Sequence, residues 1–267
     1  MTTTIMQSPA KTIGILGGKG MLGQDLVELL GHVYRLQAID KDNYESLKGG
    51  SYDVLINANG NSKRFWANEH PLDDFHASTV SVYQSIADFS FTTYIYLSSS
   101  DVYEDHSSPL STKEDYIGNP GNLSAYGFHK YLGEQIVKHA AKRYLILRSS
   151  MILGTNLRKG PFYDMLESKP LFITLASKLQ LITTEAIAAI LHELLDREII
   201  NETFNMGGRG TFPVASAQSF FNNAFSVSPE AKTQQYEMNV EKLQEHCPLK
   251  TSKEYGEAFL NHHAKKI

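Results

Sequence analysis

Short apolar blocks alternate along most of this chain with longer blocks in which apolar residues recur every three or four positions. Residues 11–17 (KTIGILG) are apolar and end in glycine, and 21–30 then place Leu22, Leu26 and Leu29/Leu30 at helical spacing. The pattern predicts strand, glycine turn, helix. Residues 34–39 (YRLQAI) read as a second strand ending at Asp40, and 53–58 (DVLINA) as a third, whose unbroken apolar run suits burial on both faces. A helix is predicted over 74–88, a strand over 94–97 running into a serine cluster, a helix over 124–140, a strand over 144–147 and a strongly apolar helix over 185–195. Such alternation implies right-handed crossovers and a parallel sheet covered on both faces. Residues 154–184 and 203–267 mix short segments with Pro, Gly and Asn punctuation, as a small lobe beside the sheet would. The expected division is a loose tail at 1–10, a nucleotide-binding unit at 11–153, and a mixed region at 154–267 with the small lobe and returning sheet elements.

Composition narrows the class. The chain has 267 residues, 42% hydrophobic and 20% charged, with a net charge of -4, the profile of a globular protein. Its Lys and Arg are scattered, so no basic stretch is set up to neutralise nucleic-acid phosphates or hold an anionic membrane. No apolar run approaches membrane-spanning length, and residues 1–10 lack the profile of a secretory signal. Cys247 is the sole cysteine, which excludes an intrachain disulfide and a Cys-based zinc site. A cytoplasmic protein without a nucleic-acid or membrane partner is expected.

Gly17, Gly20 and Gly23 form a GxxGxxG pattern (GGKGMLG) between the first strand and first helix. Missing Cβ atoms there allow a tight turn, a close approach of backbone N–H groups to a pyrophosphate, and close helix-on-strand packing. Asp40, ending the second strand, stands where a carboxylate bonds adenosine ribose hydroxyls and repels a 2′-phosphate. It favours NAD over NADP. Lys19, inside the turn, argues the other way if it meets such a phosphate, and is otherwise a solvated side chain.

Tyr126 and Lys130 (YGFHK) lie four residues apart on a predicted helix, so both project from one face. An ammonium near a phenol lowers its pKa and fits the phenol for proton transfer near neutral pH. With 14 Tyr and 18 Lys, about one such spacing is expected by chance, and Tyr44/Lys48 (YESLK) supplies a second copy. Only Tyr126 follows a serine-ended strand, Ser98 to Ser100, where active sites of parallel sheets collect.

The ordered set GxxGxxG, INANG, LSSSDVY, YxxxK and LRSSMILG resembles the extended short-chain dehydrogenases/reductases of the NAD-dependent epimerase/dehydratase family, enzymes of nucleotide-activated sugars. The resemblance implies a Rossmann-type α/β fold, a doubly wound parallel sheet with a small C-terminal substrate lobe. It also implies NAD or NADP held by Gly17, Gly20, Met21, Leu22, Asp40, Asn57, Ala58, Asn59 and Lys130, and catalysis by Ser99, Tyr126 and Lys130. Asp101 falls where dehydratases carry a glutamate and is either a base at the sugar or a solvated loop acid. A homodimer pairing the helix of Tyr126 and its neighbour is typical of such proteins. Two departures stand out. Thr79 occupies a helix position that usually holds asparagine, and the short connection from Asp40 to Asp53, like Arg148-Ser149-Ser150, is similar to dTDP-4-dehydrorhamnose reductases.

Asn61, Ser62 and Arg64 follow the third strand and are candidates to line the site. Trp66 suits packing better than ring stacking on a ligand. His129, His139, His262 and His263 lack metal-ligand spacing and read as surface or packing residues; no metal is expected. The reading is an NAD(P)-dependent nucleotide-sugar enzyme of epimerase or dehydratase type, with a 4-keto-sugar reductase and a non-catalytic nicotinamide sensor as alternatives.

Overall fold

A computed structural model describes residues 11–61, 64–116, 118–222 and 224–264. The tail assigned to 1–10, and Ser62, lie outside them. Six parallel strands, β1 (Thr12–Leu16), β2 (Arg35–Ile39), β3 (Ser51–Asn57), β4 (Ser90–Ser99), β5 (Tyr144–Ser149) and β6 (Glu202–Met206), form the central sheet in the order β6-β5-β4-β3-β1-β2. The order reverses at β1, so the crevice beyond the carboxyl ends of β1 and β3 is where such a sheet binds ligands.

Alternation within the buried strands fills both faces. Ile95, Leu97, Leu145 and Leu147 join Ile13, Ile15 and Ile56 in a core that continues into α1 (Met21–Leu30). Tyr94, Tyr96 and Ile146 point the other way, with Leu16, Leu55 and Val82. These are the two covered faces that an unbroken apolar strand requires.

The helix expected over 74–88 is a compound rod. Helical turns at Pro71–Phe75 and α2 (Ser81–Asp88) flank a π-helical stretch, His76–Val80, which contains Thr79. The wider π turn lets the Thr79 hydroxyl donate to the carbonyl of His129, 3.1 Å away on α3 (Ala125–Ala140). Such bulges recur at functional sites.

Two close approaches depend on absent Cβ atoms. A Cβ on Gly133 would lie 2.5 Å from the Tyr96 hydroxyl, so α3 packs directly on β4. One on Gly127 would lie 2.1 Å from the carbonyl oxygen of Asp101, which brings the first turn of α3 against the loop after β4.

After β5 the chain forms α4 (Thr184–Asp196), whose apolar side joins the first core, and short strand pairs. Lys178–Leu179 lies between Phe212–Pro213 and Gln235–Tyr236, and Leu171–Ile173 pairs with Val227–Lys232. α5 (Ser252–His263) follows, opened by a capping box of Thr251 and Glu254. A buried carboxylate secures α4 to α1: Asp25 accepts from the Thr184 hydroxyl at 2.8 Å and from Asn156 at 2.5 Å.

Candidate active site

The glycine turn is built for close backbone approach. Gly17 has φ of +78°, a conformation that side chains disfavour. A Cβ on Gly23 would sit 2.1 Å from the Gly17 carbonyl oxygen, and one on Gly17 would press on Ala58 and Asn59 at 3.0–3.1 Å. Gly20 is the N-cap of α1 and supplies no side-chain cap, so the amides of Met21 and Leu22 begin the helix at its positive end. This cradle fits a pyrophosphate.

Asp40 accepts from the Lys19 backbone N–H at 2.9 Å, which sets its carboxylate beside the turn. The Lys19 side chain pairs with Asp42 at 2.5 Å, so it is held by a carboxylate that a 2′-phosphate would meet as well. Asn57 differs from the expectation in its side chain, which is buried and internal: Nδ2 donates to the Tyr94 hydroxyl at 2.7 Å and Oδ1 accepts from the Asn59 N–H at 2.9 Å. The Asn57 side chain is thereby engaged within the protein.

The three serines diverge at the carboxyl end of β4. Ser98 donates to Glu134 at 2.6 Å. Ser99 caps the short turn Ser100–Val102, accepting from the Asp101 N–H at 3.2 Å while donating to Asp101 Oδ2 at 2.8 Å. Arg64 Nη2 lies 2.9 Å from that same oxygen, and Arg64 Nη1 donates to the Tyr236 hydroxyl. The buried Tyr126 phenol belongs to this group: Asp101 pushes it up, and Arg64 and Ser99 pull it down. Ser99, Tyr126 and Asp101 are therefore brought together, and all three are buried.

Lys130 is buried on the same helix face, and its Nζ donates to the Leu97 carbonyl at 3.1 Å. A Cβ on Gly60 would stand 3.4 Å from that Nζ, so the INANG segment meets α3 here. Burial pulls the ammonium down to about 8, against the carboxylates of Asp74 and Glu134. Burial first, and then Asp101, push the Tyr126 phenol above its ordinary range, and Arg64 is the nearby cation that opposes them.

His129 is buried, but not as simple packing, because its Nδ1 lies 2.6 Å from the buried carboxylate of Asp74. Trp66 packs against His70, with ring centroids 5.3 Å apart. Tyr44 and Lys48 both turn to Asp88, at 3.1 Å each, in a structural tie remote from the serines. Among the described residues no cluster of three His, Cys, Asp or Glu is arranged to hold a metal ion, and no helix is long and apolar enough to cross a membrane. A cavity of about 530 Å³ lies elsewhere, between α4 and α5, lined by Ala186, Ile190, Cys247 and Phe259.

Sequence reasoning missed Tyr236 and His106. Their rings stack at 4.1 Å and 16°, with the Arg64 guanidinium 4.7 Å from the Tyr236 ring centre. Tyr236 is 172 positions from Arg64, and no local pattern marks such a contact. In the sequence Arg148 stands out only as a motif residue. It is buried, pairs with Glu134 at 2.8 Å, and donates to the Tyr103 hydroxyl at 2.7 Å.

The NAD dependent epimerase/dehydratase family model matches residues 31–169, just over half of the chain. The chain belongs to that family. The match begins beyond the glycine turn and spans Asp40, Ser99, Asp101, Tyr126 and Lys130. No curated protein matches the sequence. Among solved structures, a UDP-galactose 4-epimerase superposes with a TM-score of 0.78 at 18% identity, over 96% of this chain and 99% of that one. A dTDP-4-dehydrorhamnose reductase from Bacillus anthracis, in complex with NADP, gives 0.76 at 16% identity over 96% and 99%. UDP-glucuronic acid 4-epimerase from Bacillus cereus, in complex with UDP-glucuronic acid and NAD, gives 0.73 at 18% identity over 96% and 100%. The fold of this chain is theirs, a Rossmann-like sheet with flanking helices.

Proposed function

We propose that this protein is an NAD(P)-dependent enzyme that oxidises and reduces a carbon of a nucleotide-activated sugar, with Tyr126 moving the proton. The observation that carries this reading is the convergence of Ser99, Tyr126 and Asp101 at the carboxyl end of β4, with Lys130 one helical turn beyond Tyr126. Hydroxyl and phenol side by side suit a substrate oxygen that becomes a carbonyl and then a hydroxyl again.

Gly17, Gly20 and the amides of Met21 and Leu22 would hold the pyrophosphate of the dinucleotide, and Asp40 the adenosine ribose. When bound, the nicotinamide supplies the hydride chemistry. Asp40 and Asp42, both beside the turn, favour NAD. Lys130, with its ammonium buried, would orient the ribose on the nicotinamide side, and Ser99 would polarise the substrate oxygen that exchanges a proton with Tyr126. The folds of the UDP-sugar epimerases and the dTDP-sugar reductase, and the UDP-glucuronic acid bound to one of these epimerases, support a nucleotide-sugar substrate.

Internal recycling of the cofactor, as in an epimerase or dehydratase, is the main reading; a 4-keto-sugar reductase is the second, favoured by the short Asp40-to-Asp53 connection. Release of nicotinamide dinucleotide on denaturing the purified protein supports recycling, whereas an empty protein turning over only with added reduced cofactor supports the reductase. Tyr126→Phe lowers turnover on a panel of UDP-, dTDP- and GDP-sugars by roughly 10²–10⁴-fold while cofactor binding persists. Unchanged turnover in that variant overturns the assignment, and a wild type inert on the whole panel returns the protein to a nicotinamide-binding role.

A further inference from the structure

Segments far apart in the chain are fastened together beside Ser99. His106 stacks on Tyr236, the Glu237 N–H donates to the His106 carbonyl at 2.9 Å, and Gln235 Nε2 donates to the Ser107 carbonyl at 3.2 Å. Arg64 joins them from the segment after β3. Its Nη1 donates to the Tyr236 hydroxyl, and its Nη2 lies 2.9 Å from Asp101 Oδ2. The Arg64 side chain is still 43% exposed, so part of a guanidinium that can donate from every nitrogen remains open.

Asp101 is buried yet keeps an open acceptor. Its side-chain contacts, from Ser99 at 2.8 Å and Arg64 at 2.9 Å, both fall on Oδ2. Among the described residues Oδ1 takes no hydrogen bond, and it is not sealed from solvent. The charges here cancel, because the arginine is already paired with the carboxylate. His106 adds none at neutral pH, since burial pulls it below its ordinary range, and Lys130 Nζ is turned to the Leu97 carbonyl. A carboxylate only accepts hydrogen bonds, so a second carboxylate brought to Oδ1 finds no donor there and is repelled. A hydroxyl meets neither obstacle: it can donate to Oδ1 and accept from Arg64.

We propose that Asp101 and Arg64 select the substrate sugar by charge, taking a neutral sugar through a hydroxyl bonded to Asp101 Oδ1 and disfavouring a uronate. The inference rests on the nucleotide-sugar reading and narrows its substrate class. Ser99, which that reading sets at the reacting oxygen, bonds Asp101 directly, so the selected hydroxyl lies near the reacting carbon. UDP-glucuronic acid 4-epimerase shares this fold and binds an acidic sugar. The fold therefore leaves the charge of the sugar open, and the residues beside Ser99 decide it.

Matched substrates test the proposal: glucose against glucuronate, and mannose against mannuronate, each as the UDP, dTDP and GDP derivative. Members of a pair differ only in whether C6 is a hydroxymethyl or a carboxylate. Wild-type kcat/KM should favour the neutral member by roughly tenfold or more. Asp101→Asn keeps an acceptor oxygen but leaves Arg64 unpaired, so the neutral-to-uronate ratio should fall by roughly tenfold or more. Arg64→Gln leaves Asp101 unpaired, and the ratio should rise. Each ratio compares two substrates on one protein, so partial unfolding or a general loss of catalysis cancels. Where a variant turns over too slowly, calorimetric binding of the same pairs to NAD-loaded protein gives the ratio. A wild-type preference for the uronate, or a ratio that moves in neither variant, overturns the proposal and leaves the nucleotide-sugar reading standing. A wild type that neither binds nor turns over any member of the panel overturns that reading, and the proposal with it.

Discussion

Lys130 Nζ donates to the main-chain carbonyl of Leu97 at 3.1 Å, which ties α3 to the strand that ends in Ser99. The ammonium is buried, and its pKa falls to about 8 from the ordinary 10.5. Between those values the unfolded chain binds a proton that the folded one does not, so this residue's contribution to stability rises with pH from about 8 to 10.5 and is unfavourable below. Lys130→Met should therefore stabilise the protein at pH 7, by on the order of 1–3 kcal/mol after loss of the Leu97 bond. The gain should shrink above pH 8, as read by denaturant unfolding at several pH values. Turnover should be lost in the same variant, a direct opposition of stability and function.

Glu134 and Arg148 form a buried ion pair, with Ser98 as a third member. Removing one charge strands the other, so Glu134→Gln should cost about 3–5 kcal/mol in unfolding free energy. Replacing both by methionine should recover most of that loss. If the double variant is as unstable as the single one, packing around the pair, and not the stranded charge, is responsible.

Gly23→Ala places a methyl group 2.1 Å from the Gly17 carbonyl oxygen, so the turn must open. Nicotinamide dinucleotide affinity, read by fluorescence titration, should weaken at least tenfold, roughly 1.4 kcal/mol, with the circular dichroism spectrum retained. Unchanged affinity would place the cofactor elsewhere.

Asp40→Ser removes the carboxylate held by the Lys19 amide. The ratio of NAD to NADP affinity should fall by about an order of magnitude, since a 2′-phosphate then meets one carboxylate fewer. A ratio that stays constant would show that Asp40 does not read the ribose.

Tyr44→Phe is the matched control for the second YxxxK. It loses one partly buried bond to Asp88, which should lower stability by about 1 kcal/mol and leave turnover intact. A large loss of turnover would mean that the wrong tyrosine has been assigned to the chemistry.

Much of this molecule is legible without coordinates because its signals are local. Apolar runs bounded by turns predict strands, and the spacing of Leu22, Leu26 and Leu30 predicts α1. Glycines directly between strand and helix imply a phosphate cradle because the backbone geometry they permit acts within a few residues. The four-residue step from Tyr126 to Lys130 likewise places both on one helix face. The rod expected over 74–88 shows where local reading stops: helical periodicity does not reveal the π turn at His76–Val80 that presents Thr79 to His129.

The sequence by itself determined the sheet class and the glycine turn, and it singled out Ser99, Tyr126 and Lys130 as candidates, since each follows from residue type and short spacing. The tertiary structure alone decided that Ser99 points its proton at Asp101, that Arg64 pairs with Asp101 beside Tyr126, and that Tyr236 anchors that arginine. Charges and hydrogen bonds act over a few ångströms of space, and the partners here lie from 2 to 172 positions apart in the chain. Their alignment exists only once the sheet has folded.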